Sequence, residues 1–287
     1  MPELPRLNNV IRLLEEGKVP ITTFSPPSID SAIALSSAAY DGVTFELEHN
    51  PYDILTLRDC LQYMLNRRQI LERGSLAPAV TPMVRIPANG GDMNQWLAKQ
   101  VLDIGVYGVI WPRVSTPEQA YNAVAACRYP RPKSAPTYEP EGQRGDNPVH
   151  AARYWGISPQ EYYAKADVWP LAPHGEILVI IQCEQTQAID NLPRILEEVP
   201  GVGVVLIGEG DLSQNLGYPR QYNHPAVVEA MTAIRRICAE HGVACGHPHV
   251  DAGNAQKIVD EGYRFVMAAP ARTFAGLEAC RKVTGRT

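Results

Sequence analysis

Lysine is scarce in this chain of 287 residues: only six occur, at positions 18, 99, 133, 165, 257 and 282. None stands at the carboxyl end of a predicted strand, where a lysine that forms a Schiff base in a barrel enzyme would have to lie. The chain also lacks a cluster of basic residues, and its net charge is −5. A nucleic-acid partner is therefore not expected, because nothing offsets the repulsion from phosphate groups.

Long apolar runs and paired cysteines are missing as well. No segment approaches the ~20 apolar residues that a membrane-spanning helix needs, so a membrane partner is not expected. The six cysteines are scattered, without the paired spacing of a disulfide framework. They indicate reduced core thiols in a cytoplasmic protein. The 45% hydrophobic and 20% charged content is ordinary for a soluble globular enzyme.

The chain does contain a regular alternation of strand-like and helix-like segments. Strand candidates lie at residues 20–25, 42–47, 80–86, 106–111, 177–183, 203–208, 243–247 and 264–269. Helical patterns lie at residues 9–16, 31–39, 55–67, 93–102, 117–127, 159–166, 188–198, 225–240, 252–261 and 273–283. This order predicts an α/β fold, a (β/α)8 TIM barrel forming one domain over residues 1–287, with a doubly wound open sheet as the alternative.

Two features stand outside this alternation. Residues 9–16 predict a leading helix before the first strand, ended by a glycine. Residues 129–148 are rich in proline, glycine and charge, so they predict an enlarged irregular loop after the fourth helix of the barrel. So long an excursion within a compact domain is typical of a functional or mobile segment.

Two neighbouring apolar strands end in carboxylates. Glu184 follows the strand at 177–183, and Asp211 follows the strand at 203–208. Strands this apolar are buried on both faces, as in a parallel sheet flanked by helices. Barrels and open α/β sheets place their chemistry at the carboxyl ends of such strands. Because nothing in their own sequence neutralises these two charges, we expect a divalent cation between them.

The second and third strands also end in charged residues. Glu46 and Glu48 share one face of a strand, and His49 follows where the chain turns. A histidine flanked by carboxylates suits a general acid–base role, with a capping or surface histidine as the alternative. Arg85 closes the third strand, where it would hold a carboxylate or a developing enolate. A structural salt bridge to Glu46 or Glu48 would explain it equally well.

Two more strand ends offer candidate substrate contacts. The backbone N–H groups of Gly210 and Asp211 form a candidate anion site, because glycine permits close backbone approach. A tight strand-to-helix turn would explain the same glycines. Trp111-Pro112-Arg113 ends the fourth strand, where it would line the pocket, although Trp111 would serve equally well as a packed wall.

The seventh strand ends in a group that invites a zinc interpretation. Cys245, His247 and His249 have side chains that zinc prefers. However, Pro248 constrains the turn between the histidines, and no fourth ligand is evident in the sequence. Substrate contact or packing at the mouth of the barrel is therefore favoured over a zinc site.

The ordered set of motifs resembles the HpcH/HpaI aldolases, metal-dependent class II pyruvate aldolases related to citrate lyase β-type enzymes. The likeness runs from about residue 8 to residue 280. It is carried by the blocks ELEH (46–49), VRIP (84–87), LDIGVYGVIWPRV (102–114), QCEQTQAIDNLPRIL (182–196) and VLIGEGDLSQNLGYP (205–219). The set is more specific than any one of its motifs.

The resemblance implies a metal-binding and substrate-binding role for residues at these strand ends. Glu184 and Asp211 would hold a divalent cation, Mg²⁺, Mn²⁺ or Co²⁺, with water completing its shell. Arg85 would contact the keto or enolate oxygen. The backbone amides of Gly210 and Asp211 would hold the carboxylate of pyruvate.

The resemblance also implies an acid–base pair, in which this chain departs from the family pattern. His49 would match the family's histidine, and Asp103 would support it across a subunit contact in a homo-oligomer, a trimer or hexamer. The family's D-G-E-H reads here with Glu46 at the partner position. Its G-P-A-D turn reads with Glu209 in place of proline, and an insertion enlarges the loop around residues 131–141. These changes indicate a divergent subgroup with its own acceptor pocket.

The implied activity is reversible cleavage of a 4-hydroxy-2-oxo acid to pyruvate, or a close 2-oxo acid, and an aldehyde through a metal-stabilised enolate. An acyl-CoA lyase of the malyl-CoA or citryl-CoA type is one alternative, although it would need a basic surface for the phosphates of CoA. A non-catalytic barrel that binds 2-oxo acids is the other, kept open by the glutamate at position 46.

Overall fold

A closed parallel barrel forms the centre of the molecule. The computed structural model describes residues 5–87, 90–269 and 274–286. In these ranges the barrel strands are β1 (Ile21–Ser25), β2 (Gly42–Glu46), β3 (Thr81–Arg85), β4 (Gly108–Trp111), β6 (Ile177–Cys183), β7 (Val204–Ile207), β8 (Ala244–His247) and β9 (Phe265–Met267). Pairing of β4 with β6 and of β1 with β9 closes the barrel. The predicted TIM barrel is confirmed; a two-residue strand, β5 (Val168–Trp169), also pairs with the start of β6.

Helices surround the barrel in the order that the sequence predicts. Those in the described ranges are α1 (Asn9–Glu15), α2 (Ile29–Ser36), α3 (Ile54–Met64), α4 (Arg67–Arg73), α5 (Gln95–Asp103), α6 (Pro117–Ala126), α7 (Val149–Trp155), α8 (Pro159–Lys165), α9 (Thr186–Glu198), α10 (Glu209–Asn215), α11 (Pro225–Glu240), α12 (Ala255–Asp260) and α13 (Ala275–Val283), with a 3₁₀ turn at Gly90–Asp92. The helix predicted at 55–67 corresponds to α3 and ends earlier, at Met64, whereas α4, which begins at Arg67, was not predicted. Helix α7 was not predicted, and Thr273 of the predicted last helix lies outside the described residues.

The leading helix α1 closes the amino-terminal end of the barrel. Its Val10 and Ile11 are fully buried against the apolar side chains of the barrel interior. The carboxylate of Glu176, just before β6, accepts the backbone N–H groups of Leu7 and Asn8 at 3.0 and 2.8 Å. These bonds fix the start of α1 beside the amino-terminal ends of the strands. The opposite, carboxyl end of the barrel is therefore left open for chemistry.

The segment 129–148 contains no helix or strand, as predicted, but it is anchored to the barrel layer. The fully buried guanidinium of Arg128 donates to Asp167 at 2.6 Å and to the carbonyls of Thr137 and Pro140 at 2.7 Å each. Its charge is thereby paired and its hydrogen bonds are made, as burial of an ion requires. Arg128 therefore anchors this irregular segment, and the buried Arg144 within the segment adds a second link through Asp103.

The cysteine prediction is confirmed, because all six cysteines are buried and free of disulfide bonds. Cys183, Cys238 and Cys245 lie close enough together for burial and mutual repulsion to raise the pKa of the Cys183 and Cys245 thiols well above the usual range. Thiols in such surroundings are protonated and inert. No helix in the described part of the chain is long and apolar enough to cross a membrane.

Candidate active site

The carboxyl ends of β2 and β3 bring Glu46 and Arg85 side by side. The two residues are register partners in the parallel pairing of these strands. The Arg85 guanidinium forms an ion pair with Glu46 through Nη2, and its Nε lies 3.1 Å from the carboxylate of Glu48. All three side chains are mostly buried. The salt bridge considered in the sequence analysis therefore exists, and it aims Arg85 at the mouth of the barrel.

Two more contacts hold the Arg85 guanidinium in place. Its Nη1 donates to Oε1 of Gln182 on β6 at 3.3 Å, and its plane lies 4.5 Å from the ring centre of Phe24 on β1. Arginine suits such a position because its planar fork combines several directed hydrogen bonds with stacking. Strands β1, β2, β3 and β6 thus converge on one preorganised cation.

Glu184 lies directly after β6 and is packed against the next strand end. It is 2% exposed, and Nε2 of Gln182 donates to it at 3.4 Å. A Cβ atom at Gly208 would come within 2.1 Å of Glu184 Oε2, so only glycine leaves room for this carboxylate. Asp211 lies three residues further on, in the first turn of α10, and is exposed.

Negative charge accumulates around these residues. Burial first, and repulsion from Asp211 second, raise the pKa of Glu184 to about 7. Burial, followed by repulsion from Glu184 and Asp211, raises the pKa of Glu48 to about 8. Glu184 and Glu48 therefore resist ionisation while the neighbouring carboxylates are charged, as expected for groups that share one site. The predicted pair Glu184 and Asp211 is brought together, with Glu48 as a third neighbour.

Arg113, which was expected with Trp111 and Pro112 to line the pocket, is a further member of this group. It follows β4 and has φ of 55°, which is unusual for a residue other than glycine. Its backbone N–H is donated to Glu184, and its side chain attracts both Glu48 and Glu184. The signal available in the sequence was an arginine after a tryptophan–proline pair at a strand end.

The acid–base candidates are arranged differently from the expected dyad. Oε1 of Glu46 accepts the backbone N–H groups of Glu48 and His49, at 2.6 and 3.3 Å, so this carboxylate faces amides and Arg85. The imidazole of His49 is 66% exposed, and its Nε2 lies 3.7 Å from Glu48. Glu48 therefore takes the place beside His49 that was expected for Glu46.

Asp103 and Trp111 lie away from the mouth of this chain. Asp103 ends α5 and pairs with the buried Arg144 at 3.1 Å. Trp111 is 1% exposed and belongs to the layer between barrel and helices, beside Cys127, which directly follows α6. Because Ile110 faces the barrel interior, its neighbour Trp111 must face outward. Trp111 is thus the packed wall rather than a pocket residue.

The histidines after β8 contact a carboxylate. Both His247 and His249 approach Glu209, whereas Cys245 packs beside Cys238. In the described part of the chain, no group of three or more His, Cys, Asp or Glu side chains is arranged to hold a metal ion. A zinc site at Cys245, His247 and His249 is therefore not found. Glu184 and Asp211 remain as two oxygen donors.

Comparison with known proteins places the chain in one family. Residues 23–271 match the family described as HpcH/HpaI aldolase/citrate lyase. A 2-keto-3-deoxy-L-rhamnonate aldolase of Klebsiella pneumoniae subsp. pneumoniae is 36% identical over 253 residues, which are 88% of this chain and 82% of the relative. A hydroxypyruvate/pyruvate aldolase of Roseobacter denitrificans is 31% identical over 240 residues, 83% of this chain and 81% of the relative. The chain belongs to the HpcH/HpaI aldolase/citrate lyase family.

A solved structure supports the same membership. An HpcH/HpaI aldolase/citrate lyase family protein from Burkholderia cenocepacia has a TM-score of 0.74 and 26% identity to this chain, covering 97% of it and 98% of the other chain. Two acidic residues at the strand ends of this chain have contacts that the resemblance did not imply. Glu46 reaches backbone amides and Arg85, and Glu209 is buried against two histidines.

Proposed function

We propose that this chain is a metal-dependent aldolase that reversibly cleaves a 4-hydroxy-2-oxo acid to pyruvate, or a close 2-oxo acid, and an aldehyde. Family membership and aldolase relatives at 31% and 36% identity support a carbon–carbon lyase. One observation carries the proposal furthest. The carboxylates of Glu184 and Asp211 repel each other at the mouth of the barrel, where barrel enzymes place their chemistry.

The residues present fit a hard divalent cation. Glu184 and Asp211 supply carboxylate oxygens, the donors that Mg²⁺ and Mn²⁺ prefer. Two protein ligands leave most coordination positions to water and substrate, as is usual for Mg²⁺. The raised pKa of Glu184 marks negative charge that the neighbouring arginines only partly balance. A divalent cation held there would act as a Lewis acid toward the 2-oxo oxygen of the substrate.

Arg85, at the end of β3, would bind the same region of the substrate as the cation held after β6 and β7. Its guanidinium is already fixed by Glu46, Gln182 and Phe24, so it need not reorganise as charge develops on the enolate oxygen. The open side of Gly210, where an added Cβ would meet nothing within 4 Å, leaves the turn accessible to a substrate carboxylate. The amides of Gly210 and Asp211 would bind that carboxylate.

His49 would move the proton of the C4 hydroxyl group. Cleavage of the C3–C4 bond requires a base for this proton, and the aldol direction returns it. The exposed imidazole of His49 can approach an aldehyde that enters from solvent. Glu48, 3.7 Å from its Nε2, would orient the ring.

We further propose that the chain acts as a cytoplasmic homo-oligomer, a trimer or hexamer, with Asp103 supporting His49 of a neighbouring copy. Within one chain Asp103 lies with Arg144, and burial raises the pKa of this aspartic acid. Native mass spectrometry of the purified protein would show the assembly. A chain that is fully active as a monomer would contradict this part of the proposal.

Exchange of the pyruvate methyl protons in D₂O tests the reaction directly. With Mg²⁺ the wild-type protein should catalyse exchange, followed by ¹H NMR, because enolisation is the half-reaction shared by all such substrates. EDTA should stop it, and Glu184→Gln should slow it by at least about 100-fold. Glu197→Gln, which changes an exposed carboxylate on α9, is the matched control. Undiminished exchange in Glu184→Gln treated with chelator would refute the assignment.

The substrate class needs a separate assay. Wild-type protein should cleave 4-hydroxy-2-oxo acids, detected as pyruvate by a coupled dehydrogenase. Malyl-CoA, offered under the same conditions, should not be cleaved at a comparable rate. Faster turnover of malyl-CoA would instead make the chain an acyl-CoA lyase.

A further inference from the structure

Glu209 is a buried carboxylate held by two histidines. It is 4% exposed, and it stands between Gly208 and Gly210 as the first residue of α10. One carboxylate oxygen is hydrogen-bonded to Nδ1 of His249. The other oxygen lies 3.8 Å from Nε2 of His247. Burial of a carboxylate without such partners would be strongly unfavourable.

The hydrogen bonds of His247 fix the orientation of its ring. Its Nδ1 accepts the backbone N–H of His249 at 3.2 Å. A neutral imidazole that accepts at Nδ1 carries its proton on Nε2, so the N–H of His247 faces Glu209. The ring is mostly buried and meets the ring of Tyr263 edge-on at 5.0 Å. Burial also lowers the pKa of His247, which favours this neutral form.

The side chains of Glu209 and His247 are buried, whereas the ring of His249 is exposed. Gly246 faces the barrel interior, so its neighbour His247 faces the layer of helices. On the mouth side of the same turn, Gly208 touches Glu184, and Asp211 is exposed. Glu209 therefore anchors the turn from behind while its neighbours present the groups at the front.

We propose that Glu209, His247 and His249 form a turn clamp, which positions residues 208–211 so that Asp211 and the amide of Gly210 are held in place. These are positioning residues, since none of them faces the reacting atoms. The inference rests on the proposed function, because the turn is the part that would hold both cation and substrate. Interactions behind metal ligands commonly decide ligand orientation and affinity.

The local sequence explains why this turn needs an anchor. Glu209 stands between Gly208 and Gly210, and glycine adds backbone freedom on both sides of it. The contacts of the buried Glu209 carboxylate with the two imidazoles restrict that freedom from the side chain.

Two measurements on purified full-length protein test the clamp. The first is hydrogen–deuterium exchange of the amides of residues 208–212 in metal-free protein, and the second is Mn²⁺ affinity by EPR. The variants are Glu209→Ala, Glu209→Gln and His249→Ala. The matched control is Glu197→Ala, which removes the carboxylate that lies 3.4 Å from His241 on the outside of the barrel.

The clamp predicts a graded pattern. Glu209→Ala should speed exchange of these amides by about tenfold or more and weaken Mn²⁺ binding by about 10–100-fold. His249→Ala should act in the same direction, and it remains testable if Glu209→Ala fails to fold, because its ring is exposed. Glu209→Gln keeps an oxygen acceptor for His249, so it should stay within about threefold of wild type. Glu197→Ala should change neither quantity.

The contradicting results are equally distinct. Wild-type exchange and Mn²⁺ affinity in both Glu209→Ala and His249→Ala would overturn the clamp. Loss of Mn²⁺ binding in Glu209→Gln without faster exchange would make Glu209 a ligand instead, which also overturns it. Failure of the proposed function has another signature, namely that Asp211→Asn binds Mn²⁺ like wild type; the exchange measurement still tests the clamp in that case.

Discussion

At the scale of single residues, the surroundings of Glu184 favour the protonated, uncharged form of its carboxyl group. Burial and the charge of Asp211 raise its pKa to about 7, so the protonated form is populated near neutral pH in the metal-free protein. A cation that binds there must displace this proton. Metal binding and protonation therefore compete for the same oxygen atoms.

The affinity for Mn²⁺ should consequently rise with pH. Below the pKa of Glu184 the acid form must lose its proton before binding, so affinity should increase about tenfold per pH unit from pH 5 to pH 7 and level off above. Isothermal titration calorimetry in two buffers of different ionisation enthalpy measures both the affinity and the protons released. An affinity independent of pH over this range, with no proton release, would contradict the assignment of Glu184 as a ligand.

Arg85 is the second residue with a direct prediction. Arg85→Ala should lower kcat/KM for aldol cleavage by about 10²–10³-fold, since it removes a preorganised donor from the developing enolate. Arg85→Lys keeps the charge but loses the fork that meets Glu46 and Gln182, so it should recover only part of the rate. Steady-state kinetics of the two variants provide the comparison. Full activity in Arg85→Ala would show that Arg85 serves only the salt bridge.

At the scale of elements, the site depends on how closely β6 and β7 approach each other. Residues Cys183 and Ile207 are register partners, so Glu184 and Gly208 emerge side by side. Because Gly208 has no side chain, Glu184 occupies the space where a Cβ atom at position 208 would lie. The geometry of two strand ends thus decides where one carboxylate points.

Gly208→Ala should displace Glu184, because its Cβ would lie 2.1 Å from Oε2 and 2.7 Å from Cβ of that residue. We expect a loss of stability of about 1–3 kcal/mol from overpacking, together with weaker Mn²⁺ binding. Gly210→Ala is the matched control for stability, since its added Cβ meets nothing within 4 Å. Chemical denaturation measures the stability of both variants. Equal stabilities would show that the turn shifts to make room for the added Cβ atom.

The buried ion pair of Arg128 with Asp167 is a main anchor of the irregular segment 129–148. Arg128→Ala should destabilise the fold by about 3–5 kcal/mol, since it leaves Asp167 buried and removes donors from two carbonyls. Arg131→Ala removes a second, partly exposed partner of Asp167 and should cost about 1 kcal/mol or less. Urea unfolding measures both values. Similar small losses in the two variants would mean that Arg128 does not anchor the segment.

At the scale of the whole molecule, the barrel was predictable because its strands are apolar on both faces. For example, every residue of the run at 177–183 is buried, whereas a strand with one face in solvent would alternate apolar and polar residues. Shorter helices were harder to predict. Asn66 begins α4 by accepting the N–H of Gln69, a local cap inside what looked like one helix. Helix α7 follows directly on an irregular segment that gave no periodic signal.

The candidate site was predictable to the level of strand ends, but not of contacts. Parallel strands must gather Glu46, Arg85 and Glu184 at one end of a barrel, and the sequence shows their order. The direction of the Trp111 side chain could not be predicted without knowing which residues of β4 face the barrel interior. The positive φ of Arg113 has no marker in the sequence. The burial of Glu209 could not be predicted, because it depends on contacts with His247 and His249. These residues lie 38 and 40 positions further along the chain, and only folding brings them near.

The position of the cation is the central claim about the molecule. Crystals grown with Mn²⁺ and pyruvate, measured at a wavelength where Mn scatters anomalously, would locate it directly. The account predicts one strong peak between the side chains of Glu184 and Asp211, with a carboxylate oxygen of each at about 2.0–2.4 Å. A peak beside His247 and His249, or no peak near Glu184, would contradict it.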